Sequence, residues 1–210
     1  MKLKIGLTWI PRKTEYINRS LQTIGDVDVT IYPDCLDKPD ICCFDVVSLG
    51  YNIGCFKHYY RVLEHLTKSD ADVIGIVSDD VVYCKNWHIK ALEHINDGVG
   101  FVACYTPKGL ADRHGWKTGV HELNLGWAKS WGGCYLFKRE VAIELLKHPF
   151  ILDHLNNYEK NQQIDHAIPE AMYQMGLNQL YIVPSLTNHI GVESTIGHKH
   201  RDIDKGKGWI

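Results

Sequence analysis

An α/β fold with a mostly parallel central sheet flanked by helices is what this sequence predicts, and three observations carry the expectation. Short apolar runs alternate with segments of helical period through the first half of the chain, and such a βαβα rhythm builds parallel strands covered by helices. The run Asp72 to Ser78 is apolar almost without interruption, as a strand buried on both faces must be. The 210 residues, 45% hydrophobic and 23% charged, match an ordinary single domain that buries roughly 70% of its unfolded surface.

Taken in order, Leu3 to Trp9 reads as a strand closed by Pro11. Thr14 then caps a helix with Ile17, Leu21 and Ile24 on one face, which Gly25 stops. Val27 to Tyr32 is a second strand with Pro33-Asp34 as its turn, and Ile41 to Val47 a third. Asn52 precedes a helix whose stripe is Ile53, Phe56, Tyr60, Leu63 and Leu66. After the strand ending at Ser78, Asn86 caps a helix to Ile95, and Val99 to Tyr105 is again a strand. Thr106 to Ser130 breaks the rhythm, rich in Gly, Lys, His and Trp without a period; a loop of that length in a compact domain is expected to be functional, here an active-site flap. Regularity returns with the strand Gly133 to Phe137 and the helix Glu140 to Lys147, closed by Pro149. A helix around Asp165 to Met175 ends at Gly176, and the strand Gln179 to Val183 follows.

Charge narrows the classes of function. With 23 basic and 25 acidic residues, a net charge of −2, the chain has no global field for recruiting nucleic acid or anionic membrane. Seven cysteines are scattered without a Cys-x-x-Cys spacing, and several stand in apolar runs where a free thiol packs as a small hydrophobe, which points to a reducing, cytoplasmic setting. No apolar run is long enough for a membrane span, and Ile5 to Ile10 is too short for a signal segment. The sequon Asn18-Arg19-Ser20 is then a chance match.

Chemistry concentrates in three places. The buried strand ends in Ser78-Asp79-Asp80-Val81, and in open α/β sheets ligands bind beyond the carboxyl ends of strands. Two adjacent carboxylates there call for a cation, and hard oxygens favour Mg²⁺ or Mn²⁺, which bridge diphosphates. The bland alternative is a turn and cap for the next segment. In the tail, His189 follows the strand at 179–183 as a candidate imidazole ligand, and His198-Lys199-His200-Arg201 would close over phosphate by charge-assisted hydrogen bonds; a scaffold histidine and a solvated basic surface are the alternatives. Third, in Trp131-Gly132-Gly133 the glycines let backbone approach a ligand and the indole stacks a sugar face, or the segment is a tight turn into a strand.

These residues together resemble a family. Thr8 and Arg12 after the first strand, Ser78-Asp79-Asp80-Val81, the Gly132-Gly133 turn, the aspartate of Gln163-Ile164-Asp165 and Pro184-Ser185-Leu186 with His189-Ile190-Gly191 stand in the order seen in GT-A-type glycosyltransferases. The resemblance spans almost the whole chain. Its carboxylate pair is similar to the metal-binding DXD element, although it is Ser-Asp-Asp here. The resemblance implies a single GT-A-like catalytic domain, with residues 1–105 as the nucleotide-sugar-binding half and 106–210 as the acceptor-side half with flap and tail. It implies that Thr8 and Arg12 border the nucleotide pocket beside Asp79 at the ribose, that Trp131, Gly132, Gly133, His198 and Lys199 attend the nucleotide-sugar, a UDP-sugar, and that Asp80 and His189 bind Mn²⁺ or Mg²⁺. Asp165 would face the acceptor as its general base, with N-cap of the following helix as the alternative.

The expected function is therefore a metal-dependent sugar transfer from a nucleotide-sugar to an acceptor hydroxyl. A nucleotidyltransferase of similar architecture is the enzymatic alternative, but Thr8-Trp9-Ile10-Pro11-Arg12 offers Arg without the glycines of a phosphate loop. A nucleic-acid or sugar-binding module is the non-enzymatic one, resting on Arg113, His114, Trp116, Lys117, His121, Trp127, Lys129 and Trp131, since stacking and phosphate contacts suit single strands. The two ideas combine if the acceptor is itself nucleic acid, such as a hydroxymethylated base.

Overall fold

A computed structural model describes residues 1–11, 16–37, 39, 41, 43–125, 133–157, 164–191 and 206–209. Its centre is an eight-stranded sheet in the order β3-β2-β1-β4-β8-β6-β9-β7. The strands are β1 (Leu3–Trp9), β2 (Asp28–Pro33), β3 (Asp45–Val46), β4 (Val73–Ser78), β6 (Val99–Ala103), β7 (Gly119–Leu123), β8 (Cys134–Lys138) and β9 (Asn178–Val183); β5 (Val81–Tyr83) and β10 (Thr187–His189) pair separately. The helices are α1 (Tyr16–Ile24), α2 (Cys55–Leu66), α3 (Trp87–Leu92), α4 (Lys108–Arg113), α5 (Arg139–Lys147), α6 (Pro149–Asn156) and α7 (Ile164–Gln174).

The architecture is thus α/β, but the sheet is mixed. β1 runs parallel to β2 and β4, and β6 parallel to β9, whereas β8 is antiparallel to both its neighbours and β7 is antiparallel to β9. Strand alternation divides the core in two. Ile74, Ile76, Tyr135 and Phe137 point to the face covered by α2, α5, α6 and α7, while Val73, Val77, Cys134 and Leu136 join Ile17, Ile24, Trp87 and Ala91 of α1 and α3 on the other.

Several local expectations change. The strand expected over Ile41 to Val47 shrinks to Asp45–Val46, because this edge carries only one neighbour, β2. Asn86 precedes α3 as expected but makes no side-chain cap, its backbone being left-handed at φ 59°. Thr106 to Ser130 is not one irregular flap: it contains α4 and β7, the latter almost wholly exposed and so without an apolar period. Residues 126–130 lie outside the described part, as does Thr14. Pro149 does not merely close α5; it opens α6 at its first turn, where its missing N–H costs nothing. α7 begins at Ile164, so Asp165 is a first-turn residue rather than the N-cap, and Pro169 lies inside the helix. Pro169, the sixth residue of the helix, forgoes the bond that would run to the Asp165 carbonyl and crowds that carbonyl with its ring.

Candidate functional site

The sheet collects the ends of β1, β2, β4, β6 and β9 at one edge, and the chain after β4 is pinned there from several sides. Ser78 pairs with Thr8 across the strands, the Thr8 hydroxyl donates to the Val77 carbonyl at 3.1 Å, and the Asp79 N–H donates to the Thr8 carbonyl at 3.1 Å. On the other side the Ser78 N–H donates to the Gly133 carbonyl at 3.2 Å. Asp79 and Asp80 are thereby held at a strand end with only 3% and 5% of their surface exposed.

Asp80 then meets a segment far away in sequence. β5, which begins right after Asp80, pairs antiparallel with β10 so that His189 stands opposite Val81. The Ile190 N–H donates to the Asp80 carbonyl at 2.8 Å, and His189 Nε2 lies 2.9 Å from Asp80 Oδ2. Gly191 closes the arrangement: a Cβ there would sit 2.9 Å from His189 Nε2 and 3.0 Å from Asp80 Cγ. A glycine is the residue that this close approach of backbone to the pair admits.

The pair holds a carboxylate oxygen and an imidazole nitrogen side by side in direct contact, donor types that hard and borderline divalent cations accept. Among the described residues it is a pair, not a cluster of three or more metal-ligating side chains.

Asp165 sits at the start of α7 on the face covered by α2. Burial pushes the Cys55 thiol up to about 11, and the Asp165 and Asp34 carboxylates add to the shift; burial and then Cys134, Asp165 and Cys55 hold the Tyr59 phenol well above its ordinary range. Asp165 is therefore beside the first turn of α2, the turn that rises from the same sheet edge. Arg12, Trp131, Gly132, His198 and Lys199 lie outside the described residues, so the structure brings together Thr8, Asp79, Asp80, Gly133 and His189 from the sequence-derived set and places Asp165 on the neighbouring helix.

One acidic residue at this edge escaped the sequence reading. Asp34 follows β2 as Asp79 follows β4; its N–H donates to the Trp9 carbonyl at 3.0 Å, and its Oδ1 accepts the Ile53 N–H at 3.2 Å. The buried His58 donates from Nε2 to the Tyr32 carbonyl at 3.1 Å and turns Nδ1 toward Asp34 Oδ1 at 3.7 Å. Burial lowers the His58 pKa, with the Asp34 charge opposing. The signal was available in the sequence as a carboxylate directly after an apolar strand, but Pro33-Asp34 is equally a turn signature.

Among the described residues no helix is long and apolar enough to cross a membrane. The chain matches no protein-family model, and no curated protein matches it either.

Proposed function

We propose that this chain is a metal-dependent glycosyltransferase that moves a sugar from a nucleotide-sugar, a UDP-sugar, to an acceptor hydroxyl. The observation that supports it most is the Asp80 carboxylate held 2.9 Å from the His189 imidazole at the sheet edge where α/β folds bind ligands. The carboxylate and imidazole of the pair fit Mn²⁺ or Mg²⁺ by donor type, with Asp80 and His189 as the residues that would hold it. When bound, that cation supplies positive charge to offset a departing diphosphate.

The chain's own residues do the rest. Thr8 fixes the Asp79 backbone, so Asp79 is positioned for a ribose hydroxyl. Gly133, hydrogen-bonded to Ser78, forms the floor on the side of β8. Asp165 would take the acceptor's hydroxyl proton on a carboxylate oxygen, and the N-terminal end of α7 favours its ionised, proton-accepting form.

The test is thermal shift with UDP and UDP-sugars, with and without Mn²⁺. A ligand at 100 times its Kd stabilises by about 2.7 kcal/mol, which for a chain of this size raises Tm by roughly 5–11 °C. Asp80→Asn should lose the Mn²⁺-dependent part of that shift while keeping its own Tm near the parent's. No shift with any nucleotide overturns the donor assignment.

A further inference from the structure

The connection from α4 to β7, together with β7 itself, carries three stacked heterocycles. The His114 and Trp116 rings stack with centroids 5.1 Å apart, and the Trp116 and His121 rings with centroids 5.0 Å apart and planes 8° from parallel. Trp116 rests in turn on the buried Tyr181 of β9 at 5.3 Å, so the stack is anchored in the sheet and ends at the exposed His114.

Its backbone is built to hold that shape. Gly115 takes a left-handed φ of 64°, which turns the chain back so that the Trp116 N–H donates to the Ala111 carbonyl at 2.9 Å. His121 Nε2 donates to the Lys117 carbonyl at 2.6 Å, which closes the loop between the two rings.

We infer that this stack, flanked by Arg113 and Lys117, is a binding platform for single-stranded nucleic acid. Ring faces stack nucleobases regardless of sequence and cations follow the phosphates. Arg113 and Lys117 are exposed, and among the described residues neither is in a salt bridge. The neighbouring Asp112 is already paired with Lys108 and Lys207. Glu122, the other carboxylate here, follows His121 on β7 and so points to the opposite side of the strand. A neutral carbohydrate would use the rings but not the cations.

Location gives the platform a use. β7 is antiparallel to β9, with Gly119 opposite Val183, so the loop before β7 stands at the same sheet edge as Asp80. β4 and β7 are separated by β8, β6 and β9, and at about 4.8 Å per strand the lateral offset is roughly 19 Å. A bound strand of several nucleotides spans that distance. The inference goes beyond the transferase reading and uses none of its residues.

The test is fluorescence anisotropy of a labelled oligothymidylate titrated with the whole chain, without nucleotide-sugar or metal, at low and moderate salt. Binding should appear at low salt and weaken as salt rises. His114→Ala, at an exposed position, should weaken it roughly tenfold, and Lys117→Ala should weaken it uniformly and reduce the salt slope by about one. A heparin fragment, which has charge without bases, should compete poorly. No anisotropy change at low salt overturns the inference. So does a parent-like titration by both variants, or preferential binding of heparin or of a neutral oligosaccharide. Because donor binding is read separately by thermal shift, failure here leaves the transferase reading standing, and the reverse.

Discussion

Replacing Gly191 with alanine presses a methyl group against both Asp80 and His189. The added Cβ would lie 2.9 Å from His189 Nε2 and 3.0 Å from Asp80 Cγ, and closer still to Asp80 Oδ2. None of these neighbours retreats easily: Asp80 is 5% exposed, and its carbonyl is tied to the Ile190 N–H at 2.8 Å, one residue from the substitution. Either the Asp80–His189 contact of 2.9 Å opens or the end of β10 moves. Overpacking of this kind costs about 1–3 kcal/mol, which at 2–4 °C per kcal/mol lowers Tm by roughly 2–12 °C.

Calorimetry gives the Tm, and titration with UDP in the presence of Mn²⁺ gives the consequence for the site, where a loss of at least about tenfold in affinity is expected if the pair loses its geometry. Gly109→Ala is the control. A Cβ there meets nothing within 4 Å, and alanine in a helix is neutral to stabilising by up to about 1 kcal/mol. A Gly191→Ala protein that melts within about 1 °C of the parent and binds nucleotide as before would refute both the tight cradle and the assignment of Asp80 and His189 to the donor site.

Three further outcomes are expected. Gly75→Ala, where a Cβ would lie 2.7 Å from Ile5 Cδ1 and 3.2 Å from the Tyr135 carbonyl, should destabilise by about 1–3 kcal/mol without changing nucleotide affinity, as read by denaturant melts and titration. Asp165→Asn should cut turnover by roughly 10²–10⁴-fold with little change in Tm; it should also speed alkylation of Cys55, whose thiol loses one of the charges raising it, and an unchanged alkylation rate would sever Asp165 from α2. His58, with its folded pKa lowered by burial, favours the folded state when neutral, so it contributes stability that is present above its unfolded pKa of about 6.5 and is lost as pH falls below that. His58→Gln should flatten the Tm profile between pH 5 and 7 relative to the parent, and parallel profiles would count against it.

Legibility in the sequence followed burial. β1, β4 and β6 match the expected runs closely because strands covered on both faces read as near-continuous apolar runs. The same property hides direction. Cys134–Lys138 reads identically whether it runs with or against its neighbours, so the antiparallel β8 in the middle of the sheet was invisible. β10 is Thr-Asn-His, polar and three residues long; it is a strand only because β5 supplies its partner. α4 is six residues with two buried, too short to show a helical period.

The candidate site divides along the same line. A carboxylate directly after a buried strand is a local pattern, and it pointed to Asp79 and Asp80. The partnership of Asp80 with His189 spans 109 residues; the place of His189 after the strand at 179–183 and the family-like order of motifs pointed to it, and no local pattern did. Asp34 obeys the same local rule as Asp79 but sits in a Pro-Asp step, where a turn explains the aspartate equally well. The two explanations differ in where the side chain bonds. An aspartate that serves a turn accepts from N–H groups about two residues on, whereas Asp34 Oδ1 accepts from Ile53, 19 residues ahead, and its own N–H is committed to Trp9. Asp34 therefore ties β1, β2 and the approach to α2 into one rim. An Asp34→Ala substitution would free the 50–54 segment as well as remove a charge, so Asp34→Asn, which still accepts the Ile53 N–H, is the variant that separates the contribution of its charge from that of its bonds.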